Sequence, residues 1–238
     1  MEINVSKARD AGYTHLLKKF ELTGIPNWHV SYILTAGGHR LKEVQEDCVK
    51  DVFRAEYWPG DKVGDHLEFA LKYDGVNLSL LKRIFEAAPQ IEIVDCIKSK
   101  PSGKYARRLW FFYEFLMDKE LPIADMSVGN YVEALEPKQY YTLHSGDKSP
   151  RHRVVNNLLG TKAFCPIVRK TDKLAKMESA DLGKRSEAIL KSYPSDLLRH
   201  ALSYLYKKET KSSFEIEHVK PSLARTEKFM RLLVLLKC

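Results

Sequence analysis

The sequence predicts a mostly α protein, a helical two-lobed architecture with a small β-hairpin near the N-terminus. Three observations predict it. From Asp65 onward apolar residues recur at helical spacing. Only two short runs, both before residue 60, read as strands. The charge is split: residues 1–150 carry 20 Lys+Arg and 22 Asp+Glu (20 − 22 = −2), and residues 151–238 carry 19 and 9 (19 − 9 = +10), together the net +8. The expected organisation is a helical domain with a hairpin over 1–118, an irregular connection over 119–150 and a basic helical domain over 151–238.

The elements follow in order. Residues 8–20 have Ala11, Leu16, Leu17 and Phe20 near one face and Lys18 and Lys19 on the other, an amphipathic helix that Gly24-Ile25-Pro26 stops. His29–Leu34 is a strand candidate ended by Gly37-Gly38, and Val52–Trp58 is a second, expected to pair with it antiparallel. Leu67, Ala70 and Leu71 start a helix that Gly75 closes. Asn77 caps the next, which carries Leu78, Leu81, Ile84 and Phe85. Ile91–Ile97 is helical up to Pro101-Ser102-Gly103. Tyr105–Met117, with Leu109, Trp110, Phe112 and Phe115, is apolar on most sides and so a central helix. Arg151–Leu159 is expected as a helix, 172–192 as two helices parted at Gly183, and Ser195 as the cap of another. Pro221-Ser222 opens a last one with Phe229, Leu232, Leu233 and Leu236 on one side.

Composition narrows the function classes. With 44% hydrophobic and 29% charged residues the chain is globular rather than disordered or fibrous. No window holds 18 consecutive apolar residues, and Met1–Lys7 lacks the apolar core of a signal peptide, so neither a membrane span nor secretion is expected. Four well-separated cysteines without a Cys-x-x-Cys pair give no zinc pattern and suit reduced thiols in a cytoplasmic chain. A last third of +10 calls for an acidic counterpart, a nucleic acid among the candidates.

Phosphate-loop, dinucleotide, zinc-protease and serine-elbow patterns do not occur. Gly37-Gly38-His39-Arg40 reads as a tight turn. His66, with no ligand partner three or four residues away, reads as a solvated surface histidine. Two basic runs, Lys98–Arg108 and Lys148–Arg153, offer candidate anion-binding residues Lys104, Arg107, Arg108, Arg151 and Arg153. The more ordinary reading of the same runs is a solvated helix start. In Tyr204–His218, Ser213 and Glu217 are four apart and share a helix face.

Ser213-Phe214-Glu215-Ile216-Glu217-His218 resembles the inhibitory motif Ser/Thr-x-x-x-Glu-Gly/Asn of Fic proteins, with His218 where the motif has Gly or Asn. Gly64–Gly75, Gly103–Trp110, Gly129-Asn130-Tyr131-Val132 and Asn157-Leu158-Leu159-Gly160 are similar to the N-terminal region of long bacterial Fic-family proteins, so the resemblance spans about residues 10–233. In that family a core bearing His-Pro-Phe-x-x-Gly-Asn-Gly-Arg moves AMP from ATP onto a protein hydroxyl. None of the eight histidines here is followed by Pro-Phe. The resemblance therefore implies a truncated, regulatory N-terminal region that is not catalytic in AMP transfer by itself. Its partner would be a Fic core, in cis or in trans. No cofactor is expected for this chain, ATP and magnesium being implied only for that core. Glu217 would pair the last arginine of the core signature, which otherwise grips the ATP γ-phosphate, and Ser213 would help fix the helix.

Overall fold

The fold is mixed α/β, which corrects the mostly α expectation: in the computed structural model 47% of the chain is helical and 14% is strand, with two small sheets. Residues 8–23, 27–45, 48–216, 218, 222 and 228 are described. The chain divides into two compact units, Met1–Lys170 and Thr171–Cys238.

The first unit opens with β1 (Ala8–Asp10) and α1 (Gly12–Lys19), so the strand takes the first turn expected of the helix. β2 (His29–Leu34), β3 (Leu41–Val44) and β4 (Val49–Phe53) complete a sheet in the order β1-β2-β4-β3. The expected hairpin between His29–Leu34 and Val52–Trp58 is not formed. β2 and β4 run parallel, with Ser31 opposite Asp51 and Ile33 opposite Phe53. The antiparallel partner of β4 is β3, with Leu41 opposite Val52. β3 is half charged and lies at the edge of the sheet, so it shows no apolar alternation in the sequence. Ala55–Tyr57, expected as strand, is a single tight helical turn.

Five helices follow the pattern of their apolar residues. α2 (Val63–Phe69) runs into a widened turn, Ala70–Asp74, ended by Gly75. α3 (Leu78–Ala87) is capped by Asn77, whose Oδ1 accepts the Leu80 N–H at 3.1 Å, worth about 1 kcal/mol. α4 (Gln90–Ser99) and α5 (Lys104–Met117) complete the layer with α1. α5 is buried from Ala106 to Tyr113, as an all-round apolar helix should be. Leu16, Leu67, Leu81, Ile84, Ile93, Ile97, Leu109 and Phe112 form one continuous core around it.

A second sheet, in the order β5-β7-β6, comprises β5 (Val132–Glu133), β6 (Asp147–Ser149) and β7 (Val154–Asn156). The helix expected over Arg151–Leu159 is thus a turn followed by a strand. Val154 and Val155 are β-branched and fit the pleat, and Arg153 sits at φ 53, outside right-handed helix geometry. Residues 119–150 are otherwise irregular and belong to the first unit.

The second unit holds α6 (Asp172–Ser179), α7 (Leu182–Lys191) and α8 (Ser195–Ile216). The break between α6 and α7 falls at Ala180–Asp181, and Gly183 lies inside α7. The last expected helix, from Pro221, lies outside the described residues apart from Ser222 and Lys228. Among the described residues no helix is long and apolar enough to cross a membrane.

Asp74 joins the sheet to the helices. Its carboxylate accepts the Tyr13 N–H at 3.2 Å and the Ser31 hydroxyl at 2.5 Å. Gly12, at φ 59, must be glycine because a Cβ would collide with Asp74 Oδ2. Full burial pushes the Asp74 carboxyl up to about 7, against the opposing pull of these two donors and of Arg169. The folded state thus holds a proton that the unfolded chain releases near its ordinary value of 3.8. The associated stability is complete below that value and is lost as pH rises through about 7. Asp74→Asn mimics the neutral acid. Urea titrations across pH 4–8 should show wild type falling behind the variant as pH rises.

Candidate functional site

The chemistry of the first unit concentrates where α5 meets the turn between β6 and β7. On α5, Trp110 and Glu114 lie one helical turn apart, and Trp110 Nε1–H donates to Glu114 Oε1 at 2.7 Å. The helix ends at Asp118 in a left-handed conformation, which turns the chain so that the Leu121 N–H also donates to Oε1, at 2.9 Å. Across from them, Ser149-Pro150-Arg151-His152-Arg153 forms a tight turn, with the Arg153 N–H on the Pro150 carbonyl at 3.3 Å.

That turn delivers two cationic-type side chains to one carboxylate. Arg151 grips Glu114 bidentately, Nη2 on Oε1 at 2.9 Å and Nε on Oε2 at 3.0 Å, and also pairs with Asp125. His152 Nε2 lies 2.9 Å from Glu114 Oε2, and His152 Nδ1 lies 2.7 Å from Ser149 Oγ. Trp110 and Phe111 meet the imidazole edge-on at 4.7 and 5.6 Å.

The protonation states follow from these partners. Burial alone would raise the Glu114 carboxyl, but Arg151, the Leu121 N–H and Trp110 together hold it below its ordinary value, so it is ionised at neutral pH. An ionised carboxylate only accepts, so the proton at the contact sits on His152 Nε2. Burial lowers the pKa of His152 even though Glu114 attracts its charged form, so the ring is neutral and Nδ1 is bare. The Ser149 hydroxyl therefore donates to Nδ1. The result is a carboxylate–imidazole–hydroxyl relay, in which the carboxylate orients the base and the base faces the hydroxyl.

The anion-binding residues expected from the sequence are bound up internally. Lys104 pairs with Glu136 at 2.8 Å. Arg108 donates through Nε to the Glu133 carbonyl at 2.6 Å and approaches Glu136 at 3.6 Å. Arg107 Nη1 donates to the carbonyls of Asn130 at 2.6 Å and Arg153 at 3.4 Å, and Arg153 Nη2 to that of Ser127 at 2.8 Å. Arg107 and Arg153 come together, each with a buried Nε lacking a hydrogen-bond partner. Arg151 is spent on Glu114 and Asp125, so the five do not converge on one open site.

Ser213 lies exposed on α8, near its end. Glu217 lies outside the described residues. His66 is a correction: it is fully buried, stacked on His15 at 3.8 Å with the rings 5° from parallel, and neither ring nitrogen has a hydrogen-bond partner. Burial first, then His15, lowers its pKa to about 3, so it packs as a neutral aromatic ring.

Glu114 and His152 were not singled out from the sequence. The signal available was an acidic residue one turn after Trp110 in the apolar run Leu109–Met117, since a carboxylate on a buried helix demands partners. Glu114→Ala would leave Arg151, His152, the Trp110 N–H and the Leu121 N–H without their shared acceptor. It should cost about 3–5 kcal/mol in a urea unfolding experiment. Glu114→Gln, which retains one acceptor oxygen, should cost less.

Compared with protein-family models, with curated proteins and with solved structures, the chain matches none.

Proposed function

We propose that this chain is the regulatory region of a Fic-type protein adenylyltransferase, with the end of α8 serving as an inhibitory helix for a Fic core. The observation that carries this reading is the geometry of that helix end. α8 extends for 22 residues, about 33 Å, and carries Ser213 on an exposed face. His218 occupies the position where the resembled motif has Gly or Asn. It adopts φ 54, the left-handed conformation that those two residues take most readily, and its N–H returns to the Glu215 carbonyl at 3.1 Å. The departure in residue type thus keeps the backbone conformation that suits the motif. In this reading Glu217 pairs the last arginine of the core signature and leaves ATP bound unproductively.

Nucleic-acid binding through the basic last third is the weaker alternative. Some of its cations are tied locally: Lys184 pairs with Asp181 at the cap of α7, and Lys191, Arg199 and Lys211 pair with Glu187, Asp196 and Glu215 on their own helices. Exposed pairs of this kind add little stability, yet they occupy side chains that a phosphate backbone would otherwise engage.

The decisive test is mass-spectrometric detection of adenylylation by a separate Fic core carrying the His-Pro-Phe signature, with and without this chain. The chain should be silent alone and should suppress the core, and Glu217→Gly should abolish the suppression. A core whose AMP transfer is unchanged by the chain overturns the proposal. Independently, His218→Gly should stabilise the helix end by about 1 kcal/mol, seen as a higher thermal midpoint of the helical circular dichroism signal.

A further inference from the structure

We infer that Ser149 is an activated nucleophile that takes an acyl group from carboxylic esters. The inference goes beyond the regulatory reading and does not rest on it. A serine hydroxyl attacks a carbonyl only when a base can take its proton as the new bond forms. Here the base is in place: His152 Nδ1 lies 2.7 Å from Ser149 Oγ. The base is also oriented, because Glu114 Oε2 accepts from His152 Nε2 at 2.9 Å and is itself fixed by Arg151, Trp110 and the Leu121 N–H. The two ring nitrogens exchange the places they hold in the familiar serine-protease arrangement, which leaves each role intact. Ser149 is half-buried while His152 is buried, so the serine is less enclosed than its base. Trp110 and Phe111 pack edge-on against the imidazole from the core and hold its ring in place.

The step balances as follows. Ser149 Oγ bonds to the carbonyl carbon, and its proton passes to His152 Nδ1. The ester C–O bond breaks, and the departing alcohol takes the proton from Nδ1. Water then attacks the acyl-serine, delivering a proton to Nδ1 that returns to Ser149 Oγ as the carboxylic acid leaves. The imidazolium formed midway is stabilised by the Glu114 carboxylate.

The test uses the full chain, a fluorophosphonate probe and p-nitrophenyl acetate. The probe should phosphonylate Ser149, with loss of fluoride, as located by peptide mass spectrometry. Ser149→Ala should remove both the label and ester turnover. His152→Asn should slow labelling about a hundredfold or more, the usual contribution of a general base. The pH profile distinguishes a base from a structural contact. Asp125, Glu114 and Arg151 are the charged groups facing His152, and the labelling rate should reach its plateau with a midpoint below the ordinary histidine value of 6.5. Folding of each variant is checked by circular dichroism, and the wild-type result decides by itself. A folded wild-type chain in which Ser149 stays unlabelled overturns the inference, and so does labelling at Ser149 whose rate is unchanged in a folded His152→Asn variant.

Discussion

The first unit depends on a buried carboxyl at Asp74. Four donors from three stretches far apart in sequence end on this one residue. Tyr13 at the start of α1 and Ser31 in the middle of β2 donate to its side chain. Asn27 Nδ2 and Arg169 Nη2 donate to its main-chain carbonyl, at 3.1 and 2.6 Å. Next to it, the Gly75 carbonyl accepts the Tyr13 hydroxyl, and the Val76 N–H donates to the Tyr140 hydroxyl. A buried acceptor left without donors costs more than a made hydrogen bond returns, so each of these segments is held in register by the need to satisfy the others.

Glu114 plays the corresponding part on the far side of α5. Trp110 brings its indole against the carboxylate from the same helix, and the turn carrying Arg151 and His152 closes over it. Arg107 and Arg108, one turn earlier on the helix, brace the carbonyls of residues 130, 133 and 153, so α5 fixes both the loop before β5 and the start of β7. The second sheet is short enough that it would not persist alone, and its backbone is held by arginines anchored on a helix that is itself central to the core. The groups that hold the turn also set the tautomer of His152 and hence the direction of the Ser149 hydrogen bond.

Helices α1, α3 and α4 were legible because each buries one side against the core, which leaves a spacing of three and four in the sequence. Leu81, Ile84 and Phe85 behind the Asn77 cap are the plainest case. β2 was legible as an apolar run, but its partner was not. β3 is a charged edge strand without alternation, and β5, β6 and β7 span only two or three residues each, too few for any period to register. The arginines were legible as charge. That they would be turned inward onto carbonyls and carboxylates was not, because residue type says nothing about which acceptors the chain will bring near. His66 was misread for the same reason: the rings packed on it include that of His15, fifty-one positions away, as well as that of Trp58.

The sequence by itself determined where the helices between Asp65 and Met117 run, the excess of positive charge in the last third and the Ser213-to-Glu217 spacing, because each of these depends only on neighbours along the chain. Only the tertiary structure decided the parallel pairing of β2 and β4, the inward fate of Arg107, Arg108 and Arg151, and the meeting of Ser149, His152 and Glu114. Those outcomes depend on which distant donors and acceptors satisfy each other once water is excluded. A buried polar group has no local rule to choose its partner, so the choice belongs to the fold.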